Sequence, residues 1–211
     1  MSVHPPTLSG DPTLALPEFD APPADPFDLL AEWVDLAGRR AVREPLAVTL
    51  ATTDPDGHVS SRVLLVKEIS RDGLLFGSHR RSRKGRDLAA VPRGAITFYW
   101  RETLQQINLA GPVVATTDEE SDRLFHARLP AAQATTAASE QSRPLTDERS
   151  LRERAERLGR SDEPIPRPAD WGGYRLLPEE IEFWHGSPDR LHRRLRYDLI
   201  DGTWSSTRLQ P

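Results

Sequence analysis

Hydrophobic positions along the chain follow two periods, and the change between them divides it. After Asp25-Pro26, an N-cap followed by a first helical residue, Phe27, Leu30, Val34, Ala37 and Ala41 recur three and four residues apart. That spacing predicts an amphipathic helix. From about Leu46 the period shortens. LAVTLAT, VSSRVLLV, GLLFGS, GAITFYW and QQINLAGPVV are short runs rich in β-branched and aromatic residues, separated by turn signals such as DPDG and RDG. They predict an antiparallel meander. SRKGRDLAAVP, between the third and fourth runs, predicts a short helix capped by Ser82 and stopped near Pro92. Further helices are predicted at about 118–127 and 147–159, before a Pro-rich link, EPIPRPADW. The tail returns to β pattern with GGYRLLPEEIEFWHG, LRYDLI and TWSSTRL. The whole reads as a mainly β, barrel-like core with peripheral helices.

Seven of the 19 prolines fall in the first 26 residues, in a stretch without helical or alternating period. It reads as an extended arm over residues 1–24, its first ten or so residues disordered, ahead of a single domain over residues 25–211. A length of 211 residues suits that organisation. The 28 Lys and Arg against 32 Asp and Glu leave a net charge of -4, which gives no global attraction for nucleic acid or an anionic membrane. No long uncharged apolar run is present, so a transmembrane or signal segment is not expected and the location reads as cytoplasmic. With no cysteine, disulfides, iron-sulfur clusters and thiol nucleophiles are excluded. The six histidines form no HExxH or HxH pair, and no metal site is expected.

Only Lys67 and Lys84 are lysines among the 28 basic residues. A compact ammonium differs from a planar guanidinium, so a site that needs one would explain the pair, while accident is the plain alternative. The helix opening at Ser82 begins with Arg83 and Lys84, cations set against the positive end of the helix dipole. An anion held by the free N–H groups, the serine hydroxyl and both cations would remove the conflict; two solvated side chains are the other reading. Neither GxGxxG nor GxxxxGK[ST] occurs. Arg62 with Lys67, the basic helix start, and the tail motif Asp189-Arg190-Leu191-His192-Arg193-Arg194 give three cationic clusters. Arg62 and Lys67 are five residues apart and face opposite ways in a regular strand, so one must reach a ligand around an edge, from a strand end or in a partner's site. RSLRERAERLGR reads as a solvated helical face, and Trp33 and Trp100 read as packing residues.

SRVLLVKEI, GLLFGSHRRSRKGRDLA, PRGAITFYW, QQINLAG, FHARLP, EQS, WGGYRLLPEEIEFWHG and RLHRRLRYD, in this order and spacing, resemble the pyridoxine 5'-phosphate oxidase family. The resemblance runs from about residue 18 to the C-terminus. It implies an FMN-binding split β-barrel and a homodimer with FMN at the subunit interface. It further implies that Arg62, Arg83, Lys84, Gln141 and Ser142 hold the FMN phosphate. Val63, Leu64, Leu65, Gly77, Ser78, Gln106, Trp184 and Arg194 would surround the flavin. Lys67, also counted with the cofactor set, Arg128, Arg190 and His192 would face the substrate, with His192 the candidate for proton transfer.

Where the family's vitamin B6 enzymes hold a substrate phosphate with Lys, Tyr, Arg and Ser, the matching positions here read Lys67, Leu124, Arg128 and Ala132. Two hydrogen bonds to a charged group are thereby lost, each worth about 1.5 to 3 kcal/mol. YWRETLQQINLAG, PEFDAPPADP and the ending RLRYD to RLQP resemble the phenazine-biosynthesis branch of the family, the PhzG-type oxidases. That resemblance implies oxidation of reduced tricyclic carboxylates, with electrons passing to O2 to give H2O2. The alternatives are a pyridoxine/pyridoxamine 5'-phosphate oxidase that tolerates both changes, and a split-barrel binder without catalysis.

Overall fold

The computed structural model describes residues 8–161 and 163–211. Among them, ten strands form one branched antiparallel sheet: β1 (Ala47–Thr53), β2 (Val59–Leu65), β3 (Glu68–Ser70), β4 (Gly73–His79), β5 (Arg93–Trp100), β6 (Gln105–Ala115), β7 (Trp171–Leu176), β8 (Glu180–His185), β9 (Arg193–Ile200) and β10 (Thr203–Leu209). The main path runs β10-β9-β8-β6-β5-β1-β2, and a branch pairs β3 with β4, β4 with β7 and β7 with β6. Strands fall where the short apolar runs predict them, and β3 is additional. Their pairing, however, is not a simple meander. β1 takes β5 as its second neighbour, and β4, besides its hairpin with β3, pairs with β7 rather than β5.

The branch originates in β6. Its residues Gln105 to Ala110 pair with β8, and Val113 to Ala115 pair with β7. Between them lie Gly111 and Pro112. Pro112 has no N–H to donate to a ladder, and a Cβ on Gly111 would stand 2.0 Å from the Leu177 carbonyl oxygen. The strand can change partners there because nothing projects from Gly111 into the crossing chain. This splits the barrel and opens the face on which β2, β4 and β7 meet.

Five α-helices lie around the described sheet: α1 (Pro26–Arg39), α2 (Arg83–Ala90), α3 (Asp118–His126), α4 (Pro130–Ala138) and α5 (Glu148–Gly159). Asp25 caps α1 by accepting from the Phe27 N–H at 2.9 Å, as its position predicts. The period that includes Ala41 overshoots. The helix stops at Arg39, Ala41 takes φ 54°, and the Val42 N–H closes back on the Ala37 carbonyl at 3.0 Å. This Schellman-type end buries Val42 and leaves Ala41 exposed. α4 has no clear sequence signal: PAAQATTAA carries small residues throughout, and Pro130 at its first turn is the one start marker. α5 buries none of its residues and carries the Glu148–Arg152 and Glu156–Arg160 pairs expected of a solvated helical face.

The main core lies between α1 and the sheet. Leu14, Leu16 and Phe19, which precede α1, are buried in it with Trp33, Phe183 and Tyr197. The Trp33 ring meets Phe183 edge-on at 5.1 Å, and its indole N–H donates to the Glu18 carboxylate at 2.5 Å. Trp33→Ala is therefore expected to remove the ring from a filled site and to strand a buried carboxylate, costing about 3 to 5 kcal/mol. Urea unfolding of both proteins checks this. A loss below about 1 kcal/mol would mean that the site collapses without penalty. A second, smaller core of Phe125, Ala134, Ile165 and Trp171 joins α3 and α4 to β7. No helix among the described residues is long and apolar enough to cross a membrane.

Candidate functional site

Two adjoining cavities open on the face where β2, β4 and β7 meet helices α2, α3 and α4, and they share Gly77, Arg128 and Trp171. Gly77 matters because a Cβ there would lie 2.5 Å from the Trp171 ring. Its bare backbone lets that indole stand between the two spaces.

The first cavity, about 710 Å³, is built around the start of α2. Ser82 caps the helix, accepting from the Gly85 N–H at 3.2 Å and donating to the His79 carbonyl at 2.8 Å. This places Lys84 inside the protein, 8% exposed. Its ammonium donates to Ser78 Oγ at 2.9 Å, Gln141 Oε1 at 3.2 Å and Ser82 Oγ at 3.3 Å. All three partners are neutral. Burial, with the Arg62 guanidinium nearby, pulls the Lys84 pKa down to about 8. Arg62 points to the same side. It donates to Thr52 and Ser60 hydroxyls at 2.8 and 2.6 Å and has Asp87 at 3.9 Å, and burial lowers its pKa as well. The Arg83 N–H meets Ser142 Oγ at 3.2 Å. Arg62, Val63, Leu64, Gly77, Ser78, Arg83, Lys84, Gln141 and Ser142 all line this space. Its donors converge with one compensating carboxylate among them, which suits an anion of more than one charge.

The second cavity, about 700 Å³, has mostly apolar walls. Leu65, Lys67, Leu124, Arg128 and Ala132 line it, together with Leu75, Trp171 and others. The opposed directions expected of Arg62 and Lys67 are resolved by the strand end. β2 stops at Leu65, and the Lys67 N–H bonds the Leu75 carbonyl of β4 at 2.7 Å, so Lys67 lies in the connection from β2 to β3 and lines the second cavity. Arg128 donates to Thr136 Oγ1 at 2.8 Å and lies over the Trp171 ring at 5.2 Å. Burial lowers its pKa. Glu68, Glu120 and Arg123 also line this space and have no counterpart in the sequence reading. Pairing of Arg123 with Glu119, four residues earlier on one helix, is the ordinary expectation and conceals its position.

Gln106, Trp184, Arg190, His192 and Arg194 line neither cavity; they gather on β6, β8, β9 and the loop between the last two. Trp184 stands opposite Gln106 in one ladder and Arg194 in the next. Its ring is 4.8 Å from that of His192, and Arg194 pairs with Glu182 at 2.8 Å. Arg190 occupies the loop at φ 70°. The Ser187 N–H donates to His192 Nδ1 at 3.0 Å, so in the neutral ring Nε2 carries the hydrogen. The candidate residues fall into two groups, one around the cavities and one on the C-terminal strands. Away from both, Asp54, Asp56 and His58 meet in the exposed β1–β2 turn, where their hydrogen bonds close the loop.

Comparison with known proteins gives two family matches. Residues 36–161 match the pyridoxamine 5'-phosphate oxidase model, and residues 171–211 match the pyridoxine 5'-phosphate oxidase C-terminal dimerisation region. The second match contains Trp184, Arg190, His192 and Arg194, while Gln106 falls within the first. The dihydrophenazinedicarboxylate synthase of Burkholderia lata is 43% identical over 97% of both chains. The pyridoxine/pyridoxamine 5'-phosphate oxidase of Gluconobacter oxydans is also 43% identical, over 89% of this chain and 95% of its own. Overall identity does not separate the two activities. The crystal structure of PhzG from Burkholderia lata 383 in complex with tetrahydrophenazine-1-carboxylic acid superposes with a TM-score of 0.93, covering 96% of this chain and all of that one.

Proposed function

Because the chain belongs to the pyridoxamine 5'-phosphate oxidase family, we propose that its own cavity lining decides between the activities found there and makes it an FMN-dependent oxidase of reduced tricyclic phenazine carboxylates. One observation carries this reading. The second cavity keeps the cations Lys67 and Arg128 but has Leu124 and Ala132 where the resemblance places a tyrosine and a serine that hold the vitamer phosphate. Apolar walls with cations among them favour a flat ring system bearing carboxylates, and they leave a phosphate short of two hydrogen bonds.

The first cavity fits FMN on the chemistry of its donors. A buried ammonium among neutral oxygens, beside the half-buried Arg62 guanidinium, is an unfavourable arrangement that a phosphate dianion relieves. Arg62, Arg83, Lys84, Gln141 and Ser142 would hold the phosphate, and Val63, Leu64, Leu65, Gly77 and Ser78 would flank the ring. Gln106, Trp184 and Arg194 would reach the ring from the other subunit of a homodimer, a role consistent with the dimerisation match over residues 171–211. Bound FMN supplies the two-electron acceptor that passes electrons from the substrate to O2, giving H2O2.

The protein's part is orientation. Leu124 and the rest of the apolar wall would lie against a planar substrate, and Arg128, fixed by Thr136 and Trp171, would anchor a carboxylate. Arg190 and His192 of the second subunit would close over it, His192 donating from Nε2 to a carboxylate oxygen. Aromatisation supplies the driving force, so no strong base is required. Anaerobic mixing of the FMN-loaded protein with a reduced phenazine carboxylate is expected to bleach the visible flavin absorbance, and oxygen to restore it. A flavin that stays oxidised would overturn the proposal.

A further inference from the structure

The second cavity carries more positive charge than its surroundings compensate. Its ionic lining is Lys67, Arg123 and Arg128 against Glu68 and Glu120. Both carboxylates are already engaged: Arg175 donates to Glu68 at 3.0 Å and to Glu120 at 2.5 Å. The other acids around Arg123 on α3 are no more available, since Arg167 binds Asp118 at 3.1 Å and Asp122 at 2.6 Å. Glu119 stands four residues before Arg123, the position from which a glutamate pairs along a helix. On α5 both such pairs form, Glu148–Arg152 and Glu156–Arg160. On α3 the pair is not made. Among the described residues, the side chains of Arg123 and Lys67 have no hydrogen bond or ion pair, whereas Arg128 is fixed by Thr136 and Trp171.

The uncompensated charge therefore has a place. Arg123 and Lys67 are exposed, at the solvent side of the cavity, and Arg128 is half-buried beside Trp171, which it shares with the first cavity. Leu65, Leu75, Leu124 and Ala132 supply apolar wall. We infer that Arg123 is a specificity residue: with Lys67 it receives a carboxylate at the cavity mouth while Arg128 holds another further in, so that the site selects a dicarboxylate tricycle over a monocarboxylate. The planar guanidinium fork suits a carboxylate, and its exposure keeps the gain moderate. This inference rests on the tricyclic-carboxylate reading above and adds a residue and a charge requirement to it.

The test is calorimetric binding of a phenazine monocarboxylate and a phenazine dicarboxylate, both fully oxidised and stable, to the FMN-loaded protein and to its Arg123→Gln and Arg123→Lys variants. The wild type is expected to bind the dicarboxylate about tenfold more tightly, equivalent to about 1.4 kcal/mol. Arg123→Gln is expected to erase that preference by weakening the dicarboxylate alone, and Arg123→Lys to keep part of it. A preference that survives Arg123→Gln, or an equal loss for both ligands, overturns the role of Arg123 while leaving the functional reading intact. A wild type that binds neither ligand overturns the functional reading itself.

Discussion

Lys84→Met is expected to stabilise the cofactor-free protein and, in the same molecule, to weaken FMN binding by about ten- to a hundredfold. The opposite signs share one cause. In the folded protein the Lys84 pKa is about 8, against 10.5 for a free lysine, because the ammonium is buried among neutral oxygens with Arg62 nearby. A base with a lowered folded pKa destabilises the fold fully below that value, and the cost disappears as pH rises from about 8 to 10.5. At neutral pH it is of the order of 3 kcal/mol. Methionine removes that cost, and Ser78, Ser82 and Gln141 keep contacts among themselves at 3.4 Å. A phosphate makes the same ammonium favourable, so its loss weakens the cofactor. Wild-type affinity for FMN is accordingly expected to hold below about pH 8 and to fall above it, while the variant lacks this dependence. Thermal melting of both apo proteins and fluorescence titration with FMN across that range check the pair of effects. A variant that loses stability and affinity together would mean that Lys84 is a structural residue.

Installing the missing hydroxyls should redirect the enzyme. Leu124→Tyr with Ala132→Ser is expected to raise kcat/KM for pyridoxine 5'-phosphate by about a hundredfold or more, since two hydrogen bonds to a charged group are added. Turnover of the tricyclic substrate is expected to drop, because Leu124 packs beside Gly77 and Gly173 in the wall of the same cavity. Each single variant should give part of the gain. Steady-state rates with both substrates decide the matter. An unchanged vitamer rate in the double variant would show that these positions do not govern the choice.

Much of this protein can be read from local pattern. The Ser82 cap, the Asp25 cap and the strand runs depend on neighbouring residues, and each lies where its pattern places it. The cationic cluster lining the first cavity was legible for the same reason: Ser82, Arg83 and Lys84 are consecutive, and two cations at a helix start conflict with the dipole. What depends on distant pairing was not. The switch of β6 between β8 and β7, which creates the cavity face, turns on the crossing at Gly111 and Leu177. α4 escapes because small residues carry no period, and Ala41 misleads because an alanine occupies a left-handed position usually given to glycine. Lys67 could not be aimed until the end of β2 was known. Arg123 was hidden behind an ordinary helix pairing that the structure does not make.

The most direct test of the central claim is oxygen uptake by the FMN-reconstituted protein, measured with a reduced phenazine dicarboxylate and, separately, with pyridoxine 5'-phosphate under the same conditions. The expected result is sustained uptake and H2O2 formation with the tricycle and little or none with the vitamer. Efficient turnover of pyridoxine 5'-phosphate without turnover of the tricycle would contradict it and make Leu124 and Ala132 tolerated substitutions in a vitamin B6 enzyme.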